Sequence, residues 1–234
     1  MTVLLLRLAA PLQSWGAASR FARRETRHEP TKSGVVGLLA AAQGRRRPDP
    51  VDDLAGTAFG VRIDQPGRIL RDFQTAQTLD GSRLMPLSYR FYLSDAVFLA
   101  GIHGPRNMLE DLDAAVRDPV FPLYLGRRSC PPSGQVSLGV HDGALQHVLQ
   151  HHQWQASPWW RRQQAQQVQL PIVRDAVGPQ ETGELVRDRP VSFSPERREY
   201  DWRVAVPGAP AELSNPQGRP PSRSPDFLAT LGDA

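Results

Sequence analysis

The chain has 234 residues, enough for one sizeable core, and carries 28 Lys and Arg against 24 Asp and Glu for a formal charge of +4. No apolar run approaches the roughly 18 to 20 residues of a membrane span, and the single cysteine, Cys130, excludes an internal disulfide and a multi-thiolate metal site. A cytosolic protein with a polyanionic partner fits these numbers and a pI near 9.8, although the near balance of acids and bases makes charge a modest signal.

Thr2 to Leu8 joins β-branched and leucine residues in a short apolar run closed by Pro11 and Gly16, which predicts a buried strand. An arginine-rich stretch, Arg20 to Pro30, follows. Thr31 or Ser33 then caps a helix through Val35, Val36, Leu38, Leu39 and Ala42, with Gly44 at its end. A strand is expected over 58–64, a turn at Gln65, Pro66 and Gly67, and a second strand from near Arg68. From Asp72 to Arg90 apolar periodicity gives way to Gln, Thr, Ser and Gly, the mark of a protruding hairpin or loop, before alternation resumes through Tyr89, Phe91 and Leu93 into the run Ala96 to Ala100. Pro105 introduces a helix with Met108, Leu109, Leu112 and Val116 on one face, and a strand near Val136 to Val140 follows it. The order strand, helix, strand, strand, helix, strand is that of a ferredoxin-like domain, the architecture of RNA-recognition motifs, so the fold class is α+β with an inserted hairpin. Further strands are expected at 168–174 and 202–206. The domain is assigned to residues 1–206, and Pro207 to Ala234, crowded with Pro, Gly and Ser, reads as a disordered tail.

Two blocks carry candidate chemistry. In the first, the loop Gln13, Ser14 and Trp15 ends a strand opposite the helix start Thr31-Lys32-Ser33-Gly34. Backbone N–H groups, helix dipole and cation together can bind phosphate there; a plain helix cap beside a solvated lysine fits the same residues. The second block places Gly126, Arg127 and Arg128 ahead of the rigid Pro131-Pro132 pair. A bare backbone with two adjacent guanidiniums makes a phosphate clamp, and a surface turn with solvated arginines is the alternative. A P-loop is excluded, because it needs a glycine four residues ahead of a Gly-Lys-Ser/Thr run and residues 27–31 hold none. His147 and His151 lie four apart and would share a helix face, but no Glu follows His147 and no third ligand is evident, so no metal or other cofactor is assigned.

The opening strand with its Pro-Leu-Gln-Ser-Trp-Gly loop, the Pro-Thr-Lys-Ser-Gly helix start, Leu-Arg-Asp-Phe at Leu70 to Phe73, Tyr-Arg-Phe-Tyr-Leu-Ser-Asp-Ala at Tyr89 to Ala96 and Tyr-Leu-Gly-Arg-Arg-Ser-Cys-Pro at Tyr124 to Pro131 occur in the order and spacing of one family. Together they resemble CasD, a subunit of the type I-E CRISPR Cascade complex. The resemblance is strong over about residues 2 to 140 and fades toward residue 206. It implies an RNA-recognition-type (RAMP) domain with a thumb at about 72–90, bound to the 5′ handle of the CRISPR RNA at one end of the Cascade filament. It also implies the large CasA subunit and the last CasC backbone subunit as neighbours, and target DNA as a partner of the assembled complex. Handle contacts are accordingly expected at Gln13, Ser14, Trp15, Lys32, Ser33, Gly34, Gly126, Arg127 and Arg128, with Arg71 and Arg90 at the thumb and Arg20, Arg23, Arg24 and Arg27 as a looser basic flank. Trp15 can act either as a stacking platform for a base or as a core plug.

The enzymatic alternative is a metal-independent ribonuclease that processes precursor CRISPR RNA, as relatives in the type I-C branch do. Such cleavage needs a base for the 2′-hydroxyl and a cation for the phosphorane charge. The tyrosine on the first helix and the Lys-His pair associated with those relatives are missing: no tyrosine precedes Tyr89, and Ser33 follows the one lysine, Lys32. In the type I-E system cutting belongs to CasE, so the expectation is a subunit that holds RNA without cleaving it.

Overall fold

The opening apolar run becomes strand β1 (Thr2–Ala9), which is buried on both faces: Leu4, Leu6 and Leu8 enter one core and Val3 and Leu5 the other. Two-sided burial is why its sequence reads as continuous rather than alternating. The computed structural model describes residues 1–16 and 23–220. After β1 come β2 (Leu12–Gln13), β3 (Arg23–Arg24), α1 (Lys32–Ala42), α2 (Asp52–Ala55), β4 (Ala58–Gln65), β5 (Arg68–Gln74), β6 (Ser88–Ser94), β7 (Val97–His103), α3 (Arg106–Arg117) and β8 (Ser137–Asp142). The chain continues through α4 (Leu145–His151), α5 (Pro158–Arg161), β9 (Gln167–Asp175), β10 (Glu184–Ser192) and β11 (Glu199–Ser214).

The result is a mixed α/β fold. Its main sheet has seven strands in the order β10-β11-β9-β4-β7-β1-β8, and every pairing in it is antiparallel. Helices α1 and α3 cover one face through Val35, Val36, Leu39, Leu109 and Leu112, while Val148 and Leu149 of α4 cover the other with Trp154, Leu170 and Ile172. Thr31 caps α1 as the sequence suggests, its hydroxyl accepting from the Gly34 N–H at 3.2 Å. Among the described residues no helix is long and apolar enough to cross a membrane.

Between β4 and β7 the chain leaves the main sheet as a β5–β6 hairpin, paired in register from Arg68 with Ser94 to Gln74 with Ser88 and continued by a bridge between Gln77 and Leu84. The pairing therefore starts earlier and ends later than the expected 72–90 segment. β2 and β3 add to the other edge of β6 and make a second, four-stranded sheet.

One expectation needs correction. The domain does not stop at residue 206: β11 continues to Ser214, and the buried Asn215 side chain donates to the Arg161 carbonyl at 2.8 Å and the Ala165 carbonyl at 2.9 Å. Pro207, Gly208 and Pro210 looked like tail residues because they punctuate a strand; they lie in or beside the register shift between Gly208 and Ala211, where a bulge tolerates them. Residues 221–234 lie outside the described residues. β10 was also not anticipated, because its buried face consists of Val186, Asp188 and Pro190, so its alternation does not read as apolar and polar.

Candidate functional site

The first candidate block turns inward. Gln13 is fully buried; its amide donates to the Leu8 carbonyl at 3.2 Å and the Ala96 carbonyl at 2.7 Å, and its oxygen accepts from the Trp15 indole at 3.0 Å. Trp15 is fully buried against α1, and a Cβ on Gly34 would lie 2.8 Å from the Trp15 ring. Gly34 thus makes room for the indole, and Trp15 is a core plug with no face for a base. Ser14 and Ser33 are buried too, Ser14 tied through its N–H to the Leu125 carbonyl at 3.0 Å.

Lys32 has a second structural employment. Its Nζ donates to the Thr57 carbonyl at 2.7 Å and pairs with Asp175 at 2.9 Å, while its backbone N–H donates to the Asp188 carboxylate at 2.8 Å. Arg203 closes the network, pairing with Asp188 at 2.6 Å and Asp175 at 2.9 Å. The anion that the N-terminus of α1 attracts is therefore the chain's own Asp188. Gln13, Ser14, Trp15, Lys32, Ser33 and Gly34 are corrected from RNA contacts to framework residues: their side chains, or the space above Gly34, are already filled.

The second block lies on the surface at the root of the hairpin. On β6, the edge between β2 and β3 leaves the Phe91 carbonyl facing the 124–131 loop, and Arg127 fills the gap: Nη1 donates to that carbonyl at 2.8 Å and Nη2 to the Arg24 carbonyl at 2.9 Å. Its guanidinium also lies 4.7 Å from the Tyr92 ring centroid. Gly126 sits at φ 92, and a Cβ there would fall 1.6 Å from the Ser14 carbonyl oxygen, so only glycine lets the loop reach the first strand's end. Arg127 is a staple joining loop, β6 and β3; Arg128, next in the loop, is exposed.

Around that staple the structure gathers other expected cations. Arg24 is exposed and lies opposite Arg90 in the β3–β6 register, on the face that carries Tyr92. Arg90 is half-buried, and its Nε has no hydrogen-bond partner among the described residues. Arg71 is exposed on the opposite face of the hairpin, 5.6 Å from the Tyr89 ring centroid. Arg27 is instead bound to Glu29 and Glu184. Arg20 lies outside the described residues. Phe73, 66 % exposed, is paired with Tyr89 beside Arg71. Neither aromatic was among the expected contacts, although the alternation through Tyr89, Phe91 and Leu93 signalled a strand.

His147 and His151 do share a face of α4, with ring centroids 4.1 Å apart. Among the described residues no group of three or more His, Cys, Asp or Glu is placed to hold a metal ion.

Fold and site define a class: an α/β protein with an antiparallel sheet and a projecting hairpin whose root is ringed by arginines. A family model described as CRISPR-associated protein (Cas_Cas5) matches residues 3–206. The chain belongs to this Cas5 family, which includes CasD. The Cascade subunit CasD of Escherichia coli is 35% identical over 158 residues, covering 58% of this chain and 70% of that protein. A solved structure described as a Cas protein is 37% identical, with a TM-score of 0.69 and coverage of 92% of this chain and 97% of the other. A chain of a CRISPR RNA-guided surveillance complex is 31% identical, with a TM-score of 0.75 and coverage of 98% and 97%.

Proposed function

We propose that the chain is a non-catalytic Cascade subunit that holds the 5′ handle of CRISPR RNA at the root of its β5–β6 hairpin, which serves as the thumb of a ferredoxin-like RAMP domain. The strand order β4-β7-β1-β8, with α1 after β1 and α3 after β7, supports the domain reading, since it is the order of a four-stranded β-α-β-β-α-β unit. In the complex it caps the backbone filament, beside a large CasA-type subunit and a CasC-type backbone subunit, and supports target DNA recognition in the cytosol.

The observation that carries the proposal is the arrangement around Arg127. Its donors are bound to the backbone of β6 and β3, which fixes the root of the hairpin, while Arg24, Arg71 and Arg128 stay exposed without an ion-pair partner among the described residues. Exposed guanidiniums on a rigid support suit phosphate oxygens, and Phe73 and Tyr89 offer faces to bases. The engagement of Lys32 by Asp175 supports holding over cleavage, because the one lysine is committed to the framework.

The test is co-expression with the neighbouring Cascade genes and a repeat array, followed by sequencing of the RNA retained. Replacing Arg24, Arg71 and Arg128 together by alanine should deplete the guide RNA or block assembly; unaltered assembly and RNA content would overturn the site. Incubating the isolated chain with repeat RNA tests the enzymatic alternative, which specific metal-independent cleavage would establish.

A further inference from the structure

Helix α4 carries two of the chain's six histidines one turn apart on its outer side. Val148 and Leu149 enter the second core, which leaves His147 and His151 exposed at the i, i+4 spacing that makes helical side chains neighbours. Their ring centroids are 4.1 Å apart, with the planes inclined by 32°. A Zn–N bond of about 2.0–2.1 Å lets one ion bridge nitrogens roughly 3.3 Å apart, a spacing within reach of two rings this close.

Two features distinguish the pair from histidines that merely face water. The first is orientation. Nδ1 of His151 lies 2.8 Å from the His147 carbonyl oxygen; a carbonyl only accepts, so Nδ1 carries the proton and the lone pair of the neutral ring sits on Nε2. Anchoring one ring nitrogen on a backbone carbonyl is how metal-ligating imidazoles are held, because it fixes both tautomer and ring plane. Neither ring nitrogen of His147, nor Nε2 of His151, has a hydrogen-bond partner among the described residues. The second feature is electrostatic. His151 stands in the last turn of α4, the end of a helix that favours cations. The buried Arg62 meets that end from the inside, donating to the Leu149 and His152 carbonyls, and Asp64 offsets its charge.

We infer that His147 and His151 form a two-point chelate for a borderline divalent transition cation of the Zn²⁺ type, which imidazole nitrogens suit, and that the bound ion clamps the end of α4. Two protein ligands leave the remaining coordination positions to water, so this is an exchangeable surface site and not a resident centre. It is independent of the RNA-holding reading.

The experiment titrates the full chain with ZnCl₂ by calorimetry, with Mg²⁺, which prefers oxygen ligands, in parallel. One equivalent of Zn²⁺ should bind and the melting temperature should climb with free Zn²⁺, while Mg²⁺ does neither. His147→Gln and His151→Gln should each weaken binding about a hundredfold, the low end of the gain from joining two ligands on one support. The double variant should lose the melting-temperature gain altogether. Both side chains are exposed, so the metal-free melting temperatures should match wild type, which separates lost binding from a folding defect. Wild-type affinity in the double variant, meaning an adventitious ion elsewhere only, overturns the inference, as does the lack of saturable binding to the wild type. The Arg24, Arg71 and Arg128 triple variant should bind Zn²⁺ as the wild type does, so this site and the handle site can each fail without the other.

Discussion

Replacing Lys32 by methionine removes the cation between Asp175 and the Thr57 carbonyl, at a side chain only 6% exposed. Breaking a desolvated pair from one side costs about 3 kcal/mol, read as a lower urea midpoint at unchanged slope; an unaltered midpoint would show that Arg203 carries the network alone. The salt dependence of RNA binding should not change, which separates this role from that of a phosphate ligand. Gly126→Ala should be destabilising by about 2 kcal/mol or more, since it combines left-handed backbone with a clash against the Ser14 carbonyl; a wild-type melting temperature would contradict the close approach. His152 gives a pH signature. Burial, then the charges of His141 and Arg62, push its imidazole down to about 4. It is neutral in the fold yet protonates in the unfolded chain below about 6.5. Its contribution is therefore complete above that pH and lost as the pH falls toward 4, and His152→Leu should flatten the stability profile across that window. At this scale the sequence displayed residue types without their direction. Lys-Ser-Gly at a helix start reads identically whether the anion is a phosphate or Asp188, and Asp188 lies far along the chain.

The Arg127 staple acts on an element. Arg127→Ala should leave the main sheet intact while amide exchange across 68–94 accelerates relative to β1 and β7, because two backbone carbonyls lose their donor and the hairpin root its support. Equal protection in variant and wild type would mean that β2 and β3 suffice. Which elements were legible follows from what each buries. β1 stood out as an unbroken apolar run and α3 by Leu109, Leu112 and Val116 at helical spacing. β10 was invisible because Asp188 and Pro190 occupy its inward positions, and the end of β11 was hidden by the proline and glycine that its bulge accommodates. α4 was obscured by a polar outer face of His and Gln over a narrow stripe of Leu145, Val148 and Leu149.

For the whole molecule the net charge of +4 understates the local charge. Many arginines are tied to carboxylates: Arg27 to Glu184, Arg62 to Asp64, Arg174 to Glu181 and Arg203 to Asp188. Among the described residues, Arg24, Arg71 and Arg128 near the hairpin root are exposed and have no such pair. The ordered motifs made the family legible, and the fold then separated motif residues that build the scaffold from those that face outward. The measurement that tests the central claim most directly is site-specific photocrosslinking in the reconstituted complex, with the probe at Arg128 or Tyr89 and the crosslinked nucleotides mapped by sequencing. Crosslinks confined to the 5′ handle of the guide RNA are the predicted result. Crosslinks to protein alone, or spread evenly along the spacer, would contradict it.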